Sequence, residues 1–127
     1  MQIEKKQTKI VFIAMSKHLF YFMPHAVKFV VEKGYTPIGL YGIFDYLLMD
    51  SVDQSLVIKA NNDLLTISDA LWVFGPVSQG VLEEIRLMKK LERPIKYFTV
   101  INSKDIREIK KEQIVFEGDL HKFNDEL

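Results

Sequence analysis

Cysteine is absent from all 127 positions, so the chain can form no disulfide, perform no thiolate catalysis and hold no sulfur-ligated metal. Its three histidines, His18, His25 and His121, show no spacing typical of metal ligands, and no metal is expected. Excess charge is missing as well. Seventeen basic residues balance seventeen acidic ones, which leaves neither the footprint of a nucleic-acid binder nor an attraction to anionic membranes. No apolar run approaches the length of about 18 residues that a membrane span needs, and "MQIEKKQTK" at the start has no apolar signal core. A soluble, cytoplasmic protein is the expectation. There is no GxGxxG fingerprint and no glycine-rich loop ending in Gly-Lys-Ser or Gly-Lys-Thr, so no nucleotide cofactor is implied. Internal repeats, low-complexity segments and linkers are lacking too. What is present is 48% hydrophobic content with 12% aromatic, enough for one compact domain over residues 1–127 to bury a core.

Along the chain, short apolar blocks alternate with helical periods. "KIVFIA" (9–14) is nearly continuous in apolar residues, as expected of a strand buried on both faces. After a stretch of loop character, Pro24 suits the first turn of a helix, with Ala26, Val27, Val30 and Val31 at helical spacing and Gly34 as the stop. "YTPIGLY" is the second strand. Ser51 with Gln54 three residues later matches a capping box and opens a second helix, whose buried stripe is Val52, Leu56, Ala60 and Leu64. "ALWVF" (70–74) is the third strand, 80–91 the third helix, and "IKYFTV" (95–100) the fourth strand. "KDIREIKKEQ" has mixed charge and reads as a solvated helix or loop. "IVFE" (114–117) is a candidate edge strand. This alternation predicts a single doubly wound α/β domain, Rossmann- or flavodoxin-like, with a four- to five-stranded, mainly parallel sheet.

In that architecture ligands bind beyond the carboxyl ends of the strands, against the N-termini of the following helices. Three segments converge there: "MSKH", "YGIFDY" and "GPVSQG". The last leads into two adjacent glutamates, and helical geometry separates them. Stepping about 100° per residue, Val81, Ile85, Met88 and Leu91 gather on one side with Glu84 at their rim, whereas Glu83 falls beside Arg86 and Lys90. Glu83 is expected in water and Glu84 at the crevice.

The stretch "SDALWVFGPVSQGVLEEIRLMKKLERPIKYF" resembles the signature of the nucleoside 2-deoxyribosyltransferase-like superfamily, which includes deoxynucleoside 5′-monophosphate N-glycosidases. Ser78 stands six residues before Glu84, Ile85 follows the glutamate, and Arg93-Pro94 matches the end of the motif. "VFIAMS" and "GYTPIGLYGIF" are similar to that family's first and second strands, so the likeness spans roughly residues 10–100. The resemblance implies hydrolysis or transfer at an N-glycosidic bond of a nucleoside or nucleotide. Glu84 takes the role of the nucleophile that attacks the anomeric carbon, a task that suits a carboxylate because it can form and release a glycosyl ester. Ser78, in place of the transferases' aspartate, points to a phosphorylated ligand. Gly80 lies in the same turn, and Ser16 and Lys17 are candidates to offer a hydroxyl and a cation to the same anion. As a bland alternative, Ser78 is simply a helix cap. The resemblance also implies a homo-oligomer.

Three positions depart from the family. Phe12 stands where a tyrosine hydroxyl orients the nucleophile, leaving Tyr41 or Tyr46 to supply that bond from elsewhere. Met15 replaces a small residue of the phosphate loop and narrows backbone approach to an anion. Asn61 replaces the aspartate that serves the leaving base; it can hydrogen-bond a base but cannot deliver a proton, and Asp63 substitutes only if the helix is shifted. The rival reading is therefore a non-catalytic nucleotide-binding or interaction module on the same fold. Trp72 reads as core. Asp69 reads as a structural residue at the helix-to-strand turn. The aromatic "LFYFM" (19–23) is a candidate lid or dimer contact, and His18 is more often a bystander than a phosphate ligand.

Overall fold

The computed structural model describes residues 7–39, 51–102 and 104–127. Its elements are β1 (Ile10–Met15), α1 (Met23–Glu32), β2 (Thr36–Ile38), α2 (Gln54–Ile67), β3 (Ala70–Phe74), α3 (Gln79–Lys90), β4 (Ile95–Ile101) and β5 (Asp105–Ile109). Short 3₁₀ segments occupy Lys17–Phe22, Lys111–Gln113 and Leu120–Glu126. The strands form one sheet in the order β2-β1-β3-β4-β5, with every pair parallel except β4 with β5. The α/β alternation read from the apolar blocks is thus the alternation of the fold.

Because side chains on a strand alternate, β1 divides its apolar residues between two layers. Val11, Ile13 and Met15 pack with Trp72, Phe74 and Phe98 beneath α1, while Phe12 and Ala14 join Leu71, Val73 and Tyr97 beneath α2 and α3. Helices therefore cover both faces, which is why these strands read as continuous apolar runs. Trp72 is core, in an aromatic cluster with Phe29, Tyr35 and Phe98. Asp69 accepts from the backbone N–H of Ile10 at 2.6 Å and ties the start of β1 to that of β3. Gly34, at φ +91°, makes the left-handed exit from α1 that a side chain would resist.

Several expectations need correction. The cap of α2 is Asp53, whose carboxylate accepts from Ser55 N at 2.9 Å, and not Ser51. The buried face of that helix is also rotated: Asn61 and Leu65 are buried, Leu56 is exposed, and Val52, Ala60 and Leu64 are only half-buried. In α1, Val30 is buried but Val31 is exposed. Within "KDIREIKKEQ" lies β5, an antiparallel edge strand in register with β4 from Ile101↔Asp105 to Tyr97↔Ile109. "IVFE" makes no strand and contributes a single bridge, Val77↔Phe116. The aromatic stretch after β1 is a 3₁₀ turn that buries Phe22 and exposes Tyr21. Tyr41 and Tyr46 lie outside the described residues.

From β1 the chain moves outward through α1 to β2, then crosses back over β1 through α2 to reach β3. The strand order reverses between β1 and β3, and there the loops leaving the two strands part and open a crevice at their carboxyl ends.

Candidate functional site

The residue at that crevice is set by how α3 begins. The turn after β3, which contains a cis Gly75–Pro76 bond, leads to Ser78 as N-cap, with extended backbone and a hydroxyl that accepts from Val81 N at 3.3 Å. Val81, Leu82, Ile85 and Met88 then bury the inner face of α3 against the sheet. This rotation leaves Glu84, in the second turn, half-buried and aimed along the strand ends. Glu83 points to water, where it binds Arg86 Nη1 at 2.7 Å, and Arg86 in turn grips Glu126 at 2.9 and 3.0 Å. The adjacent pair thus has one surface ion-pair member and one carboxylate at the crevice.

Two clefts meet at Glu84. The first, about 360 Å³, is walled by Phe12, Ser16, Lys17, His18, Ser78 and Glu117. The second, about 690 Å³, runs between α2 and α3 past Val57, Ile58, Asn61, Asn62, Leu87 and Lys90. Gln79, Gly80 and Glu84 line both. A Cβ added at Gly80 would meet nothing nearer than Ser78 Oγ at 4.0 Å.

Burial pushes the Glu84 carboxyl up to about 7, against the lowering effect of a hydrogen bond that Asn61 Nδ2 donates to Oε2 at 2.8 Å. Asn61 is itself buried, and among the described residues its Oδ1 has no partner. Leaving such an acceptor unpaired costs about 1–3 kcal/mol.

The structure gathers Phe12, Ser16, Lys17, Ser78, Gly80 and Glu84 at the first cleft and reaches Asn61 from the second. Ser78 is both a cap and a cleft residue. Ser16 is buried and caps the following 3₁₀ turn, its Oγ accepting from His18 N at 3.2 Å. Met15 lines the first cleft as well. Asp63 is exposed and lines neither cleft, because the buried face of α2 centres on Asn61 and Leu65. Leu19 and Tyr21 border a separate cleft of about 400 Å³ with Gly75, Pro76 and Val115.

One residue escaped the sequence reading. Glu117 brings a second carboxylate to the first cleft, carried there by the segment after β5. That segment is stapled to the α3-leading turn: Val77 N donates to Val115 O at 2.7 Å, and Glu117 N donates to Val77 O at 2.9 Å. Its signal was unreadable because the return of the chain depends on β5. Among the described residues no cluster of three or more acidic or histidine side chains is arranged to hold a metal, and no helix is long and apolar enough to cross a membrane.

No curated protein matches the chain. A family model, the domain of unknown function DUF7768, matches residues 12–98, which run from within β1 to within β4 and include Asn61, Ser78 and Glu84. On that match the chain belongs to the DUF7768 family.

Proposed function

We propose that the protein cleaves or transfers the N-glycosidic bond of a 2-deoxyribonucleoside or its monophosphate, with Glu84 as nucleophile. The observation that carries this reading is the position of Glu84, a carboxylate at the shared edge of a cleft of mixed lining and a more apolar groove. A sugar over Glu84 would have its 5′ side toward Ser16, Lys17 and Ser78, where hydroxyls, a cation and the N-terminus of α3 suit an anion. The groove toward Val57, Ile58 and Leu87 suits a flat base.

In the first step a Glu84 oxygen attacks C1′ and forms a glycosyl ester. The C1′–N bond breaks, its electron pair leaves with the base, and the base takes up a proton. In the second step water attacks C1′ and releases the carboxylate, so one water supplies the hydroxyl on the sugar and the hydrogen on the base. Transfer replaces water with another base. Glu117, on the wall of the same cleft, is suited to accept the proton from the attacking water.

A second reading is favoured by one observation: the group that faces Glu84 from α2 is an amide, Asn61, and an amide cannot protonate a departing base. On that reading the domain binds a nucleotide without cleaving it. Chromatographic detection of free base after incubation with a panel of deoxynucleosides and their 5′-monophosphates separates the two. An enzyme releases base in wild type and loses release in Glu84→Gln; a binding module releases none, and the substitution changes affinity alone.

A further inference from the structure

Glu84 and Asn61 stand on different helices, 23 residues apart, and meet at 2.8 Å. The opposite wall of the first cleft presents Phe12, which offers no polar atom to a carboxylate. An ionised carboxylate only accepts hydrogen bonds, so the amide must turn Nδ2 towards it. That orientation leaves Oδ1 buried and, among the described residues, without a partner.

We infer that Asn61 is the positioning residue of Glu84: the Nδ2–H bond from α2 fixes the direction of the carboxylate and selects its charged form. The effect on the carboxylate follows from the Asn61–Glu84 bond alone, while the effect on turnover rests on the glycosidase reading.

Other charges face the same carboxylate. Lys17, His18 and Glu117 border the first cleft, and Glu83, Arg86 and Lys90 border the second. Arg86 is shared between Glu83 and Glu126. None of them is altered by a change at Asn61, which makes the titration of Glu84 a specific readout.

The test follows the side-chain carboxyl carbon of Glu84 by NMR across pH, with the resonance assigned by its loss in Glu84→Gln. In Asn61→Leu, which keeps the volume and removes both the donor and the acceptor, the midpoint should rise by about one pH unit or more, as expected for loss of a hydrogen bond to a charged group. Asn61→Gln keeps an amide on a longer arm and should fall between. In an active enzyme, the pH limb of kcat/KM for base release should move by the same amount, with a loss of roughly tenfold at neutral pH. A midpoint unmoved in folded Asn61→Leu overturns the inference, whatever the activity. Wild type that releases no base while the midpoint moves as stated overturns the glycosidase reading and upholds the role of Asn61 towards Glu84.

Discussion

Glu84→Gln should make the protein more stable at alkaline pH. In the folded chain the carboxyl titrates near 7 and not at its ordinary 4.5, chiefly because burial disfavours the charge. A carboxyl raised in this way contributes stability that is fully present below about pH 4.5 and is lost as pH rises through about 7. Above that range wild type holds an ionised carboxylate in a poorly solvated position. The gap of roughly 2.5 pH units corresponds to about 3 kcal/mol, which partial solvent exposure of the residue reduces to about 2–3 kcal/mol. Glutamine carries no such charge, and its amide oxygen can still accept from Asn61. Denaturant unfolding at pH 4 and pH 8 provides the assay. Asp53 and Glu126, whose carboxyls lie below their usual range through bonds to Ser55 and Arg86, bias stability with pH in the opposite direction but do so equally in both proteins. The difference between wild type and variant isolates Glu84. The two should nearly coincide at pH 4 and diverge by about 2–3 kcal/mol at pH 8 in favour of the variant, roughly 10 °C in Tm for a domain of this size. Parallel pH profiles, or a variant less stable at pH 8, would refute the burial argument.

Three other outcomes are expected. If base release occurs, its kcat/KM should rise about tenfold between pH 6 and pH 8 and then level, because a nucleophilic Glu84 must be ionised; stopped or continuous base-release assays read this directly. Ser78→Ala should lower stability by about 1 kcal/mol through the lost cap of α3, and on the phosphate reading should also weaken a 5′-monophosphate relative to its nucleoside in calorimetry, a preference that capping alone does not produce. Gly75→Ala should cost about 1–2 kcal/mol in thermal unfolding, since an added Cβ would meet Ile114 Cδ1 at 2.7 Å, and Ile114→Val, which removes that atom, should recover part of the loss in the double variant.

Where residues were buried on both sides, pattern alone was enough. The strands around Val11–Ala14, Leu71–Phe74 and Tyr97–Phe98 have apolar neighbours on each face, so no competing arrangement satisfies them. The edge of the sheet was harder. In β5, Ile106 and Ile109 stand three apart, a spacing that suits a helix face, and the edge position leaves Asp105, Arg107 and Glu108 in water. In α2 the rotated face has a chemical cause: the residue most buried beside Leu65 is an asparagine, and a search for apolar stripes counts it as surface. The position of Glu84 was legible from the turn and the helical angle. Its partner was not, because a contact between two helices depends on how they pack, and neither Asn61 nor Glu117 announces its destination locally.

The staple between Val77 and residues 115–117 separates two kinds of change in the site. The family match ends at residue 98, before β5 and before Glu117, so the matched span includes Glu84, Asn61 and the capped turn at Ser78. One wall of the cleft comes from chain beyond that span. A chimera that exchanges only residues 104–127 would therefore reshape what the cleft accepts while leaving Glu84, Asn61 and Ser78 in their places, much as interchangeable jaws are fitted to a fixed tool. β5 runs antiparallel to β4, away from the carboxyl ends of the parallel strands, and it is the segment after it that returns to the crevice, where Phe116 bridges to Val77.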